Sequence, residues 1–318
     1  LAIVLFCFAL TKLLPGGPAQ QYISKLKSGM GGESNRNVGK QTSISTEEMN
    51  KINEYFGNDK PILESFNKWL FTDMMGLQSN SFHYNNKTVF ELIQERMPVS
   101  LIFGLPSFFL TYLICIPLGI AKALKDGSSF DISTSITVFI GYSLPAFAFA
   151  LLLKLCFCGT SDYFFDILPA SGFTSENYEQ FSPWGKMVDI FKHMFLPLVC
   201  YVIGDFAVIT ILMKNSLMEQ ISQDYIRTVI ARGGKFKVAI WRHAARNAMI
   251  PIATGFGTIL TVMFASNVII ERIFEIPGLG RLMLTAISER DYPLFMGELA
   301  LVTILSMFGN LLSDFCYM

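Results

Sequence analysis

The chain has 318 residues, 52% of them hydrophobic and only 16% charged, against about 25% charged in an ordinary soluble domain. Acids and bases balance at 25 each, so net charge points to no polyanionic partner and no nucleic acid is expected. The 29 phenylalanines suit side chains that face lipid rather than a solvated globular surface.

A bilayer core of about 30 Å needs about 20 apolar residues in a helix. Residues 1–14 read as the remaining part of a first such span, and both ends of the sequence read as truncated. No small-residue cleavage site follows the first run, so it is not a signal peptide. Residues 15–97 are expected to form an outer segment that folds onto the mouth of a bundle rather than a separate domain. Within it, residues 28–46 are rich in Gly, Ser, Asn and Thr and read as mobile. Pro61 then starts a short helix with Ile62, Phe66, Trp69 and Leu70 on one face. Thr88 and Glu91 have the spacing of a capping box.

Residues 98–318 read as a five-helix core, with spans at 98–121, 132–157, 194–213, 248–270 and 294–318. The fold expected is an all-α polytopic membrane protein with six transmembrane helices. Pro106, Pro117, Pro145, Pro197 and Pro251 fall in or at the ends of these runs and are expected to kink them. The loops at 122–131 and 214–247 carry nine Lys and Arg residues, and those at 158–193 and 271–293 carry five. The first pair is therefore assigned to the cytoplasm, with both termini.

The loop at 214–247 is the most informative stretch. Ser216 and Glu219 are spaced as a capping box, Asp224 can cap a helix of about eight residues starting at Tyr225, and Gly233 or Gly234 can end it. So short a helix is marginal alone in water and must dock on something. Ile226 and Ile230, with Tyr225 and Val229 beside them, form an apolar stripe for that purpose. The plainer reading has the loop packing under its own bundle; the other has it fitting a groove on a soluble protein.

The run Asp224-Tyr225-Ile226-Arg227-Thr228, then Ala231-Arg232-Gly233, Trp241-Arg242-His243-Ala244 and Arg246-Asn247-Ala248, resembles the coupling loop of ATP-driven (ABC) importer permeases of the peptide and nickel branch. Leu14-Pro15-Gly16-Gly17-Pro18, Gly57 through Pro61, Glu95 through Leu101, Glu271 through Leu282 and Arg290 through Pro293 resemble further segments of that family. The outer segment and the loop with Pro183-Trp184 are most similar to the microcin C-type peptide permease. The resemblance implies ATPase-coupling roles for Tyr225, Arg227, Thr228, Ala231, Gly233, Arg242, His243, Arg246 and Asn247. It implies a second homologous permease subunit, two cytoplasmic ATPases that carry ATP and magnesium, and a periplasmic substrate-binding protein docking near Glu275 and Arg281. The bilayer would be the bacterial inner membrane, and the chain itself would hold no cofactor. Val229, Ile230, Gly234 and Ala245 depart from the family pattern.

Asp205 lies mid-span, where a charge costs about 2.5–3.5 kcal/mol on insertion scales. It is a candidate for meeting a cationic group in the pathway, or a packing residue. Asn267 is a second pathway candidate, and Lys154 can snorkel outward. The alternative function is an ion-coupled secondary transporter using Asp205. Catalytic motifs are absent, and residues 34–41 miss the phosphate-loop spacing. His83, His193 and His243 are too scattered to suggest a metal site, and the six cysteines read as small apolar residues.

Overall fold

In the computed structural model, described for residues 2–13, 61–84, 87–159, 165–257 and 267–317, helices dominate and no strand occurs among the described residues. The mobile stretch expected at 28–46 and the phosphate-loop comparison at 34–41 lie outside them. Contacts divide the chain into two units, residues 1–95 with 282–303 and residues 96–281 with 304–318. Residues 61–84 thus share a unit with the first helix and with the start of the last.

In the first unit, α1 (Ala2–Leu13) packs Val4 and Phe8 against Phe66, Trp69, Met296 and Ala300. At 12 residues it spans about 18 Å, short of a bilayer. Pro61 precedes α2 (Ile62–Asn67), which widens into a π-helical turn over Lys68–Thr72. The expected apolar face holds at Phe66 and Trp69 but not at Ile62, which is exposed because the turn widens before Trp69. The Thr88–Glu91 capping box forms as read: Glu91 N–H donates to Thr88 Oγ1 at 3.2 Å and Thr88 N–H to the Glu91 carboxylate at 2.9 Å. Buried Asp291 accepts from Ser81 Oγ, from the His83 N–H at 3.0 Å and from the Leu294 N–H at 3.3 Å, tying the stretch before α3 to the last helix.

Long helices carry the second unit. α3 (Val89–Leu124) holds Pro98, Pro106 and Pro117 without breaking, and α6 (Pro183–Ile221) runs 39 residues through Pro197. Between them the expected span at 132–157 is two helices, α4 (Ser129–Ser143) and α5 (Ala146–Phe157), bent by 98°. The cause is local: a residue before proline is pushed out of the helical region, and Leu144 is extended at φ −84°, ψ 125° ahead of Pro145. The expected span at 248–270 is described only in part. Short pieces, Ile250–Ala253 and Thr254–Gly257, follow one another around Pro251 and two glycines, and residues 258–266 lie outside the described set. α8 (Val268–Ile273), α9 (Leu279–Ser288) and α10 (Tyr292–Tyr317) complete the chain.

Among the described residues three helices are long and apolar enough to cross a membrane, or four with α4 and α5 as one broken span. The protein is therefore a helical membrane protein. The Lys154 ammonium donates to the Ile273 carbonyl at 2.8 Å. Cys115, Cys158 and Cys200 are buried, as small apolar residues should be.

Candidate functional site

The stretch after α6 begins later than expected. α6 continues through Lys214 to Ile221, so Ser216 and Glu219 cap nothing. Ser216 Oγ instead donates to the Ala248 carbonyl at 3.0 Å, and the Glu219 carbonyl accepts from Ser222 Oγ at 2.7 Å. Gln223, extended at φ −72°, ψ 150°, caps α7 (Asp224–Ala231), an eight-residue helix as the sequence suggested. Asp224 is its first residue, not its cap, and pairs with Arg227 at 3.5 Å on the surface.

The end of α7 is closed by a double bond pattern. Gly233 N–H donates to Ile230 O at 2.9 Å and Gly234 N–H to Val229 O at 3.0 Å, which satisfies carbonyls a helix end leaves open. Gly233 adopts φ +84° in open space, whereas a Cβ on Gly234 would lie 2.7 Å from Val229 O. The chain leaves through extended Lys235 into a helical run from Phe236 that widens to a π-turn over Ala239–Ala244.

The apolar stripe is divided between two surroundings. Ile226 is 1% exposed and sits with Met213, Leu217, Ile120, Ala123, Ala239, Ile240, Ala244, Ala245, Ala248 and Ile252 in one core, with Tyr225 and Val229 against it. Burying such a side chain is worth about 1.5–3 kcal/mol, so α7 is held by its own bundle. Ile230, 43% exposed, stays outside. An exposed stripe of both isoleucines is thus corrected, and the docking needed by a short helix is met in part within the chain.

Seven of the nine residues read as a coupling set face outward: Arg227, Thr228, Ala231, Gly233, Arg242, Arg246 and Asn247. Tyr225 and His243 are half-buried. Tyr225 Oη donates to Gln220 Oε1 at 2.8 Å and accepts from Asn247 Nδ2 at 3.2 Å, which brings the two ends of the stretch together. Phe236, Val238 and Trp241 are exposed alongside. The buried alanines at 239, 244, 245 and 248 carried part of the signal, since Ile240 is buried with them while Phe236, Val238 and Trp241 face out.

The other candidates lie elsewhere. Asp205 is exposed midway along α6. Asn267 caps α8, accepting from the Ile270 N–H at 3.3 Å, while its own N–H donates to Tyr201 Oη. Arg281 Nη1 donates to the Glu275 carbonyl at 2.8 Å, and Glu275 holds φ +55°. The residue that organises this turn is Glu271, fully buried, which accepts from Ser100 Oγ at 3.3 Å and from the Arg281 N–H at 2.7 Å. Glu271 beside Arg272 at the edge of an apolar run gave no sign of that role. Among the described residues no cluster could hold a metal.

Comparison with known proteins matches residues 115–317 to the family of inner-membrane components of binding-protein-dependent transport systems. The chain is similar to the inner membrane ABC transporter permease protein YejB of Escherichia coli, at 35% identity over 99% of this chain and 92% of that one. It is 34% identical to the peptidoglycan transport system permease protein YejB of Agrobacterium fabrum, over 98% of this chain and 90% of that one. Against the oligopeptide transport system permease protein AppB of Bacillus subtilis the identity is 29%, over 100% and 92%.

Proposed function

The chain belongs to the family of inner-membrane components of binding-protein-dependent transport systems and is an ABC-type permease subunit rather than an enzyme, and from this premise we propose that it moves peptides or peptide-like compounds into the cell. The names of its relatives, which span oligopeptides, dipeptides and peptidoglycan, support that substrate class. It pairs with a second homologous permease to enclose one pathway, crosses the bacterial inner membrane six times and keeps both termini in the cytoplasm. A periplasmic binding protein delivers substrate near Glu275 and Arg281, and Asp205 and Asn267 border the pathway. Two cytoplasmic ATPases, holding ATP and magnesium, supply the energy. The ion-coupled alternative through Asp205 finds no support among relatives that are ABC permeases.

The observation that carries the coupling role is α7 itself. One side is anchored by Ile226, the end is closed at Gly233, and Arg227, Thr228 and Ala231 are turned away from the bundle. An element fixed to its spans and exposed on the other side can pass rigid-body motion into them. The test is a cysteine at Thr228 in the complex purified from membranes. A zero-length or short bifunctional cross-linker should join it to a co-purified ATPase. A complex that lacks any nucleotide-hydrolysing subunit, or one that cross-links only elsewhere, overturns the reading.

A further inference from the structure

Three charged side chains are withdrawn from water where α3, α4 and α6 converge. Lys122 near the end of α3 is 1% exposed, Asp131 in the first turn of α4 is 8% exposed, and Lys214 in α6 is 16% exposed. The Asp131 carboxylate lies between the two ammonium groups, 3.0 Å from Lys122 Nζ and 2.8 Å from Lys214 Nζ. Lys122 also donates to the Asp131 carbonyl, Thr134 Oγ1 and Ser135 Oγ at 2.7–3.0 Å. Gly127 N–H donates to the same carboxylate at 3.2 Å, and Lys214 reaches exposed Asp126 at 2.8 Å.

Lysines at the end of a span ordinarily extend their ammonium groups to water. Here both turn inward, although taking ions out of water costs several kcal/mol each unless partners repay it. What such a cluster adds over apolar packing is direction, because charge-assisted bonds fix register where methyl groups can slide. The same region holds α7. Ile120 and Ala123, on either side of Lys122, and Met213 and Leu217, on either side of Lys214, form the core that buries Ile226.

We infer that Asp131 is a positioning residue that locks α4 to the ends of α3 and α6, so that α7 and α4 move as one block and the motion is taken up at the break between Ser143 and Ala146. This deepens the coupling role proposed above and rests on it. Motion imposed on α7 enters the broken span through the carboxylate, and α5 moves against α4 at Leu144–Pro145.

The experiment uses the complete complex with its ATPases in nanodiscs, with spin labels on paired cysteines in a background cleared of reactive thiols. One pair joins Asp224 in α7 to Ile136 in α4; the other joins Ile136 to Leu152 in α5, across the break. All three positions are exposed. On addition of ATP and vanadate the first distance should stay constant and the second should shift. The key variant is Lys122→Met/Asp131→Leu/Lys214→Met, since replacing a buried ion cluster with apolar side chains is often neutral for stability. In it, the first distance should shift with nucleotide and the second should not. Should it fail to insert, Lys214→Met, which leaves Lys122 to neutralise Asp131, is read in the same way. A first distance that moves in the unaltered protein, a second that does not, or a variant indistinguishable from it overturns the inference. Loss of the ATPases from the complex would instead strike at the coupling role itself.

Discussion

The Asn247 side-chain amide donates to the Tyr225 hydroxyl at 3.2 Å, and that hydroxyl donates on to Gln220 at 2.8 Å. Twenty-two residues separate Tyr225 from Asn247, so one phenol closes the stretch that leaves and re-enters the bundle. Tyr225→Phe keeps the ring against the core and removes both bonds, each worth about 0.5–1.5 kcal/mol. Insertion and yield should be unchanged, while cross-linking from position 228 to the ATPase should fall several-fold. Undiminished cross-linking would show that the bridge does not set the outward face of α7.

Gly233 and Gly234 demand glycine for different reasons, and substitutions should separate them. Gly233 is left-handed at φ +84° with nothing within 4 Å of a Cβ, so the penalty there is conformational, about 1–2 kcal/mol for most side chains. Gly233→Asn should be close to silent, because asparagine tolerates this region, and Gly233→Val should abolish ATP-dependent uptake while the protein still inserts. Gly234→Ala should be damaging despite its small size, since its Cβ would press on Val229 O. Uptake assays with parallel membrane quantification decide the order, and equal effects of Asn and Val at 233 would refute the conformational account.

Ile226 and Ile230 sit one turn apart and should fail differently. Ile226→Ala empties a site in a shared core, a change that costs about 2–5 kcal/mol, and should lower the melting temperature of the detergent-purified protein. Ile230→Ser removes an exposed side chain, so thermal stability should be preserved and only ATPase retention during purification should suffer. A Ile230→Ser variant that melts as early as Ile226→Ala would contradict the division of the stripe between core and surface.

That division shows what the sequence could and could not reveal. Chemistry that acts over three or four residues was legible in part: the Thr88–Glu91 box, the length of α7 and its ending at glycine follow from local bonding, whereas the same spacing at Ser216 and Glu219 caps nothing because α6 runs on through it. The side of α7 that turns inward was not, because periodicity places Ile226 and Ile230 on one stripe and only the neighbouring alanines decide which is covered. The size of the bend at Pro145 was hidden for a related reason. Proline bends some spans and leaves others whole, as α3 shows with three prolines inside it, and the outcome depends on whether the preceding residue is released into extended backbone. Asp131 and Glu271 were invisible because each needs one partner from far along the chain, Lys214 and Ser100, beside its near ones.

Glu271 offers the sharpest test of such a partnership. Its carboxylate is fully buried against Gly278, where a Cβ would come within 2.2 Å of Oε1. Gly278→Ala should therefore force the carboxylate off Ser100 and the Arg281 N–H, and a steric misfit of this kind costs about 1–3 kcal/mol. In a Glu271→Ala background the added methyl has room, so the same substitution should cost almost nothing. Melting temperatures of the wild type, both single variants and the double variant close the cycle, and contacting residues should show a coupling energy of about 0.5–3 kcal/mol. Additive losses would mean that the glycine is required by something other than the acid it shelters, and that Glu271 does not shape the turn holding Glu275 and Arg281.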